Sequence, residues 1–207
     1  MEAIRGSVTE ELAAELPGIG ILWVPVEGAA RPDSLGLQLE LDHAADRITG
    51  ATAVLATTEP IAAHYRALRA QLGMDPDSGS GTLESIVRRR LLEGGFRPAG
   101  IPGDALALAT LETGVPLWAL ALEPVEAEAG ELAAGPALSL DVDKQTGAVS
   151  IFNGELPVCV LFGEPVAEAV VSKKCRSYVV VALVAPGVLA EVCALALERA
   201  AELCQSP

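Results

Sequence analysis

The sequence predicts an α+β fold in a single domain spanning residues 1–207. Two observations lead there. Helical spacings dominate the first half, while strand-like apolar runs crowd the second. This segregation disfavours a doubly wound parallel sheet. The 207 residues, 51% of them hydrophobic, suffice for one sizeable core but fall short of two ordinary domains. With only 3% aromatic residues, that core has to be built from Ala, Leu, Val and Ile.

Each element follows from local pattern. Thr9 to Leu16 reads as a short helix with acids in its first turn, ended by Pro17-Gly18. Ile19 to Val26 is a continuous apolar run of strand length. Asp33 to Ile48 predicts an acidic amphipathic helix in which His43 is a surface residue. Thr57-Thr58-Glu59-Pro60 starts a helix whose Ile61, Tyr65, Leu68 and Leu72 share a face, with Gly73 as terminator. Residues 74 to 81, MDPDSGSG, form an exposed loop. Thr82 caps a helix that carries Ile86, Val87 and Leu91 on one side, points Arg88 and Arg89 away, and stops at Gly94-Gly95. Arg90 falls inside the apolar arc of that helix.

Asp104 precedes a helix of small apolar residues, and Val115 to Leu122 reads as a buried strand. Glu123 to Glu131, with four acids and no base, reads as a solvated excursion. Ala137 to Val142 and Ala148 to Phe152 flank a turn that has Gly147 at its left-handed position. Pro157 to Phe162 and Ser177 to Val184 are further β-rich runs, and Val188 to Leu203 is a closing helix.

Composition narrows the function. A net charge of −14 opposes general nucleic-acid binding, because phosphate is repelled. Half of the fourteen basic residues nevertheless fall in two clusters: Arg88, Arg89, Arg90 and Arg97, then Lys173, Lys174 and Arg176. Brought together, they give an acidic protein one basic face. No apolar run reaches the length of a membrane span, and acids occupy the place of a signal peptide's bases, so a cytoplasmic protein with no membrane partner is expected. The mean hydropathy of +0.40 predicts apolar surface buried between subunits, as in a homodimer. The four cysteines lack metal spacing and are expected to be buried or idle thiols in a reducing compartment. No metal or cofactor is expected.

The run from Leu72-Gly73-Met74-Asp75-Pro76 through Glu84, Arg88-Arg89, Leu91, Gly95, Asp104 and Val115-Pro116 to Leu122 resembles the stand-alone B3/B4-like proteins. These are similar to the editing module of the β subunit of bacterial phenylalanyl-tRNA synthetase. The resemblance covers roughly 19–187. It implies a fold of β-sandwich-like sheets with packed helices, and a tRNA-related function: binding an amino acid, or the aminoacyl end of a tRNA, in an apolar pocket. In the synthetase the related module hydrolyses tyrosine wrongly attached to the tRNA.

This chain departs from that form at the positions that matter for chemistry. Trp118 stands where the synthetase motif has a histidine and Ala121 where it has an aspartate. Gly100 and Ala107 stand in place of asparagines, and 179–187 lacks a glutamate. The resemblance therefore implies binding without the synthetase module's editing catalysis. If any activity is present, it is hydrolysis of an aminoacyl-tRNA ester, with backbone amides of Gly100 to Gly103 as an oxyanion hole. The alternative function is a non-catalytic structural or dimeric interaction protein.

The candidate ligand-binding residues are Arg90, Asp104 and Trp118. Arg90 either grips a carboxylate in a pocket or reaches out from the helix end toward stranded carbonyls. Asp104 either binds a ligand's amine or caps the helix beginning at Ala105. Trp118 packs in the core or walls a pocket. The candidate RNA contacts are Arg88, Arg89, Arg97, Lys173, Lys174 and Arg176, with Glu84 pairing Arg88 at i,i+4 as the alternative for the first cluster. A lowered Cys175 pKa beside those lysines is weighed against a plain solvated loop.

Overall fold

The computed structural model describes residues 2–51, 54, 58–122 and 137–206. The chain begins with β1 (Ile4–Arg5) and β2 (Ser7–Val8), followed by α1 (Glu10–Glu15), β3 (Gly20–Glu27) and α2 (Leu35–Arg47). Three helices come next, α3 (Pro60–Gln71), α4 (Leu83–Glu93) and α5 (Gly103–Thr113), and then β4 (Leu117–Leu120). The remainder is β5 (Leu138–Val142), β6 (Val149–Asn153), β7 (Leu156–Val160), β8 (Ser177–Val184) and α6 (Ala190–Gln205). The excursion expected at Glu123 to Glu131 lies outside the described residues.

Two four-stranded sheets result, one ordered β1-β3-β8-β4 and the other β2-β5-β6-β7. Every pairing is antiparallel except β2 with β5. Helix α6 packs on β3, β8 and α5, α5 packs on β4, and both α2 and α4 pack on α5. Side chains from both sheets and most of the helices join in one main core, among them Trp23, Leu120, Leu140, Ile151, Val181 and Leu197, and Ile48, Ala62, Leu83 and Val87 form a second, smaller cluster. This is the expected α+β arrangement.

The link between the sheets is a single glycine. Gly6 separates β1 from β2, and its N–H donates to the Ile21 carbonyl at 3.0 Å. A Cβ there would sit 2.5 Å from the Leu138 carbonyl oxygen and 2.6 Å from Ile21 Cγ2. Only a residue without a side chain lets the strand step from one sheet to the other at that distance.

Two side-chain caps form, the expected one at Thr82 and one at Ser34 that was not anticipated, whereas Glu59 before α3 makes none. Ser34 accepts from the Leu37 N–H, Thr82 accepts from the Ser85 N–H, and Gly94 ends α4 at φ +72°. Strand β4 is shorter than the expected Val115–Leu122. Pro116 has no N–H to offer a ladder, and the Ala121 N–H leaves the sheet to bond the Ala169 carbonyl at 2.8 Å. Strands β1 and β2, two residues each, carry no apolar run and were not anticipated.

Leu120 is fully buried where β4 meets β8. Leu120→Ala is expected to cost about 2–5 kcal/mol through lost burial and a residual cavity. Urea unfolding of both proteins with comparable m-values checks this.

Candidate functional site

A cleft of about 510 Å³ opens between α4, α5 and the free edge of β4. Ile86, Leu106, Leu117, Trp118 and Val170 give it an apolar interior. Polar groups come from the loop Gly79-Ser80-Gly81, from Ser85 and Thr110, and from two charged residues, Arg89 and Glu164. The Ser80 hydroxyl donates to Glu164 Oε1 at 2.5 Å, which orients that carboxylate. Arg89 is exposed and makes no hydrogen bond or ion pair among the described residues. A cation and an anion thus share a largely apolar cleft, an arrangement suited to a small ligand carrying both signs of charge.

The loop that forms one wall is held from below. Arg69 is completely buried. Its Nε donates to the Pro76 carbonyl at 3.0 Å, its Nη2 lies 3.2 Å from Glu84 Oε2, and its guanidinium sits 5.3 Å from the Phe162 ring centroid. Phe162 meets Trp118 edge-on at 5.9 Å, and Trp118 Nε1 donates to the Gly163 carbonyl at 3.2 Å. The wall loop also receives Arg66 on the Asp77 carboxylate and Arg88 on the Asp77 carbonyl. Glu84 therefore pairs with Arg69 and not, as expected, with Arg88. Burial drives the choice, because Arg69 has no solvent to turn to.

Beside the N-terminus of α5 two carboxyls meet. Asp104 is buried within the first turn of the helix, and its Oδ2 accepts from the N–H groups of Ala99 (2.6 Å) and Gly100 (2.9 Å). It is not the cap of a helix starting at Ala105. The helix starts at Gly103, and Asp104 ties down the loop before it. Both oxygens of Asp33 are buried without a hydrogen-bond donor among the described residues, and the carboxyl faces that of Asp104. Burial raises the Asp33 pKa to about 7, helped by the bond to Asp104 and by its charge, against the pull of Arg31. Arg31 itself donates to the Cys204 and Ser206 carbonyls at the end of α6.

This arrangement also removes most of the expected oxyanion hole. The Gly100 N–H is taken by Asp104, the Ile101 N–H by the Arg31 carbonyl at 2.8 Å, and Pro102 has none to give.

The other expected residues are scattered. Arg90 lines neither this cleft nor a second one, and its Nε donates to the Ala45 carbonyl in the last turn of α2 at 3.1 Å. That is the reach toward carbonyls, satisfied on a neighbouring helix. Arg97 is exposed and pairs with Glu93 at 3.5 Å. Lys173, Lys174 and Arg176 are exposed on the loop before β8, which begins beside the cleft at Val171. Of the two basic clusters, only Arg89 lines the cleft.

The second cleft, about 610 Å³, has His43 and Arg47 on its rim and Leu83, Val87 and Leu108 inside. His64 is exposed and lines neither cleft. No cluster of three potential metal ligands occurs among the described residues. Cys159, Cys193 and Cys204 are buried and unpaired, with burial pushing the Cys159 thiol to about 12 and Cys204 to about 11.

Glu164 and Arg69 were missed from sequence. Glu164 is a lone acid in a turn and carries no local signal. Arg69 had one: it follows Tyr65 by four residues, on the face that α3 buries.

Two outcomes are expected. Arg69→Ala strands a buried carboxylate and should cost about 3–5 kcal/mol, read by urea unfolding, whereas Arg88→Ala on the exposed side of the loop should change stability little. The second concerns pH. A carboxyl whose folded pKa is raised lends stability in full below its unfolded value, roughly 3.9, and loses it as pH climbs through the folded value of about 7. Asp33→Asn removes that titration, so its stability relative to wild type should rise with pH across this window in a series of urea melts.

No protein-family model matches the chain, and no curated protein or solved structure matches it either.

Proposed function

We propose that the chain is a B3/B4-like protein that binds an amino acid, or the aminoacyl end of a tRNA, in the cleft between α4, α5 and β4. The observation that carries this reading is a convergence. Trp118 and Ala107, the positions that the resemblance aligns with the synthetase motif's histidine and one of its asparagines, line the same cleft. Glu164 offers a carboxylate to an α-ammonium. Arg89 offers a guanidinium to a carboxylate or to a terminal phosphate, and the exposed Lys173–Lys174–Arg176 loop, which follows Val171 of the cleft lining, offers further positive charge to a tRNA backbone. The reading is one of binding without hydrolysis, since the cleft holds an indole where the synthetase motif has its histidine.

A thermal-shift screen tests it, with the free amino acids at millimolar and charged tRNA at micromolar concentration. A ligand at a hundredfold its Kd stabilises by about 2.7 kcal/mol. Arg89→Ala should weaken the bound anion and shrink the shift, without altering the melting of the free protein. Flat curves for every amino acid and for tRNA would overturn the reading.

The second reading, a dimeric interaction protein, draws on α2. Leu35 and Leu39, four residues apart, are 73% and 51% exposed on its outer face. Light scattering decides it: a strict monomer at high concentration removes this reading.

A further inference from the structure

Pairing on both edges of β8 fixes which peptide groups of β4 look outward. In an antiparallel ladder, successive residues send their N–H and C=O to opposite sides of the strand. On β3 the Ile21 carbonyl accepts from Gly6, so Ile21 and Trp23 face β1, while Leu22, Val24 and Val26 face β8. Those three stand opposite Ala182, Val180 and Tyr178. The intervening residues Val181 and Val179 therefore turn to β4, where they meet Trp118 and Leu120. Leu117 and Ala119 are left with their peptide groups directed off the sheet. The end of the strand has the same parity: two residues past Ala119, the Ala121 N–H points outward to the Ala169 carbonyl.

Neither Leu117 nor Ala119 has an outward partner among the described residues, but only Ala119 is left with room for one. At Leu117 the Gly81 backbone closes in, so that a Cβ on Gly81 would lie 3.0 Å from the Leu117 oxygen. At Ala121 the edge is taken by Ala169. Between them Ala119 has no hydrogen-bond partner among the described residues and lines the 510 Å³ cleft. An N–H and a C=O pointing the same way from a walled position demand a partner that supplies both complements.

We propose that Ala119 reads the ligand's main chain. Its N–H donates to the carbonyl oxygen of a single α-aminoacyl group, and its C=O accepts from the amine of that same group, completing one hydrogen-bonded β pair. This rests on the reading of the cleft as an amino-acid site and names what the site recognises. An extended peptide needs several consecutive open positions on an edge strand, and here there is one. An ammonium carries three donors, so pairing with the Ala119 carbonyl leaves two for Glu164. Recognition through the main chain is indifferent to the ligand's side chain, which falls to the apolar interior to select.

Proline tests this cleanly, because an outward-facing N–H on an edge strand is the place where a sheet tolerates it. Methyl esters of apolar L-amino acids serve as probes, followed by thermal shift and by amide hydrogen exchange of the full chain. In the free protein, the Ala119 amide should exchange rapidly while those of Trp118 and Leu120 stay protected, and saturation with an ester should protect Ala119. Ala119→Pro should melt near the wild type and bind the esters about tenfold or more weakly, and Ala119→Gly should bind as the wild type does.

An Ala119 amide already protected without ligand, or unprotected at saturation, overturns the proposal even where the proline variant does not fold. Unchanged ester binding by a folded Ala119→Pro overturns the pairing alone and leaves the amino-acid reading of the cleft standing. If no ester or free amino acid shifts the wild type, both fall together.

Discussion

Strand β8 is committed on both edges, to β3 along its whole length and to β4 along half of it. Seven of its eight residues are buried. A strand covered on both faces and both edges has no freedom of register, because a slip of one residue would turn every side chain to the wrong face. That constraint propagates outward. It sets the parity of β3, hence where β1 can attach, and the parity of β4, hence which peptide groups look into the cleft. Helix α6 packs over β3 and β8, so the covering layer rests on the same register.

The wall of the cleft is held by a different kind of interaction. Arg69 and Glu84 form an ion pair beneath the loop of residues 74–81, and each keeps one buried atom, Nη1 and Oε1, without a partner among the described residues. Such a pair is a poor source of net stability, since removing both charges from water costs roughly what their attraction returns. Its effect is positional. A buried guanidinium that must find acceptors pins the Pro76 carbonyl, and the loop carrying Gly79, Ser80 and Gly81 follows. The edge-on contact of Phe162 with Trp118 then ties that loop to the strand across the cleft.

Much of the fold was legible because its signals are local. The limits of β8, the cap at Thr82 and the turn at Gly147 all follow from residues adjacent in sequence. Strands β1 and β2 were not legible, because two residues without an apolar pattern become strands only where partners more than a dozen positions away present an edge. The site was legible in pieces. Trp118 was placed as a possible pocket wall, and Arg89 was singled out for its charge. Glu164 lies 75 positions from Arg89 in the chain (164 less 89), and only the return of the β7–β8 connection beside β4 brings the two to one cleft. Asp104 shows the reverse error: the residue type was right for a cap, but a buried carboxylate took the two nearest free amides, which lie before the helix and not within it.

The step at Gly6 carries a consequence for how the molecule is made. A five-residue stretch, 4–8, belongs to both sheets, pairing with residues 22–23 on one side and 139–140 on the other. During synthesis its first partner follows within about twenty residues, while its second arrives only after more than half the chain has been added. Contacts of such long sequence separation are the ones that slow folding. Until then, β2 is a short strand waiting beside an unfinished second sheet. The joining of the two sheets is therefore a late event in assembly, and a nascent chain stalled before residue 138 holds its first strand with only half of its partners.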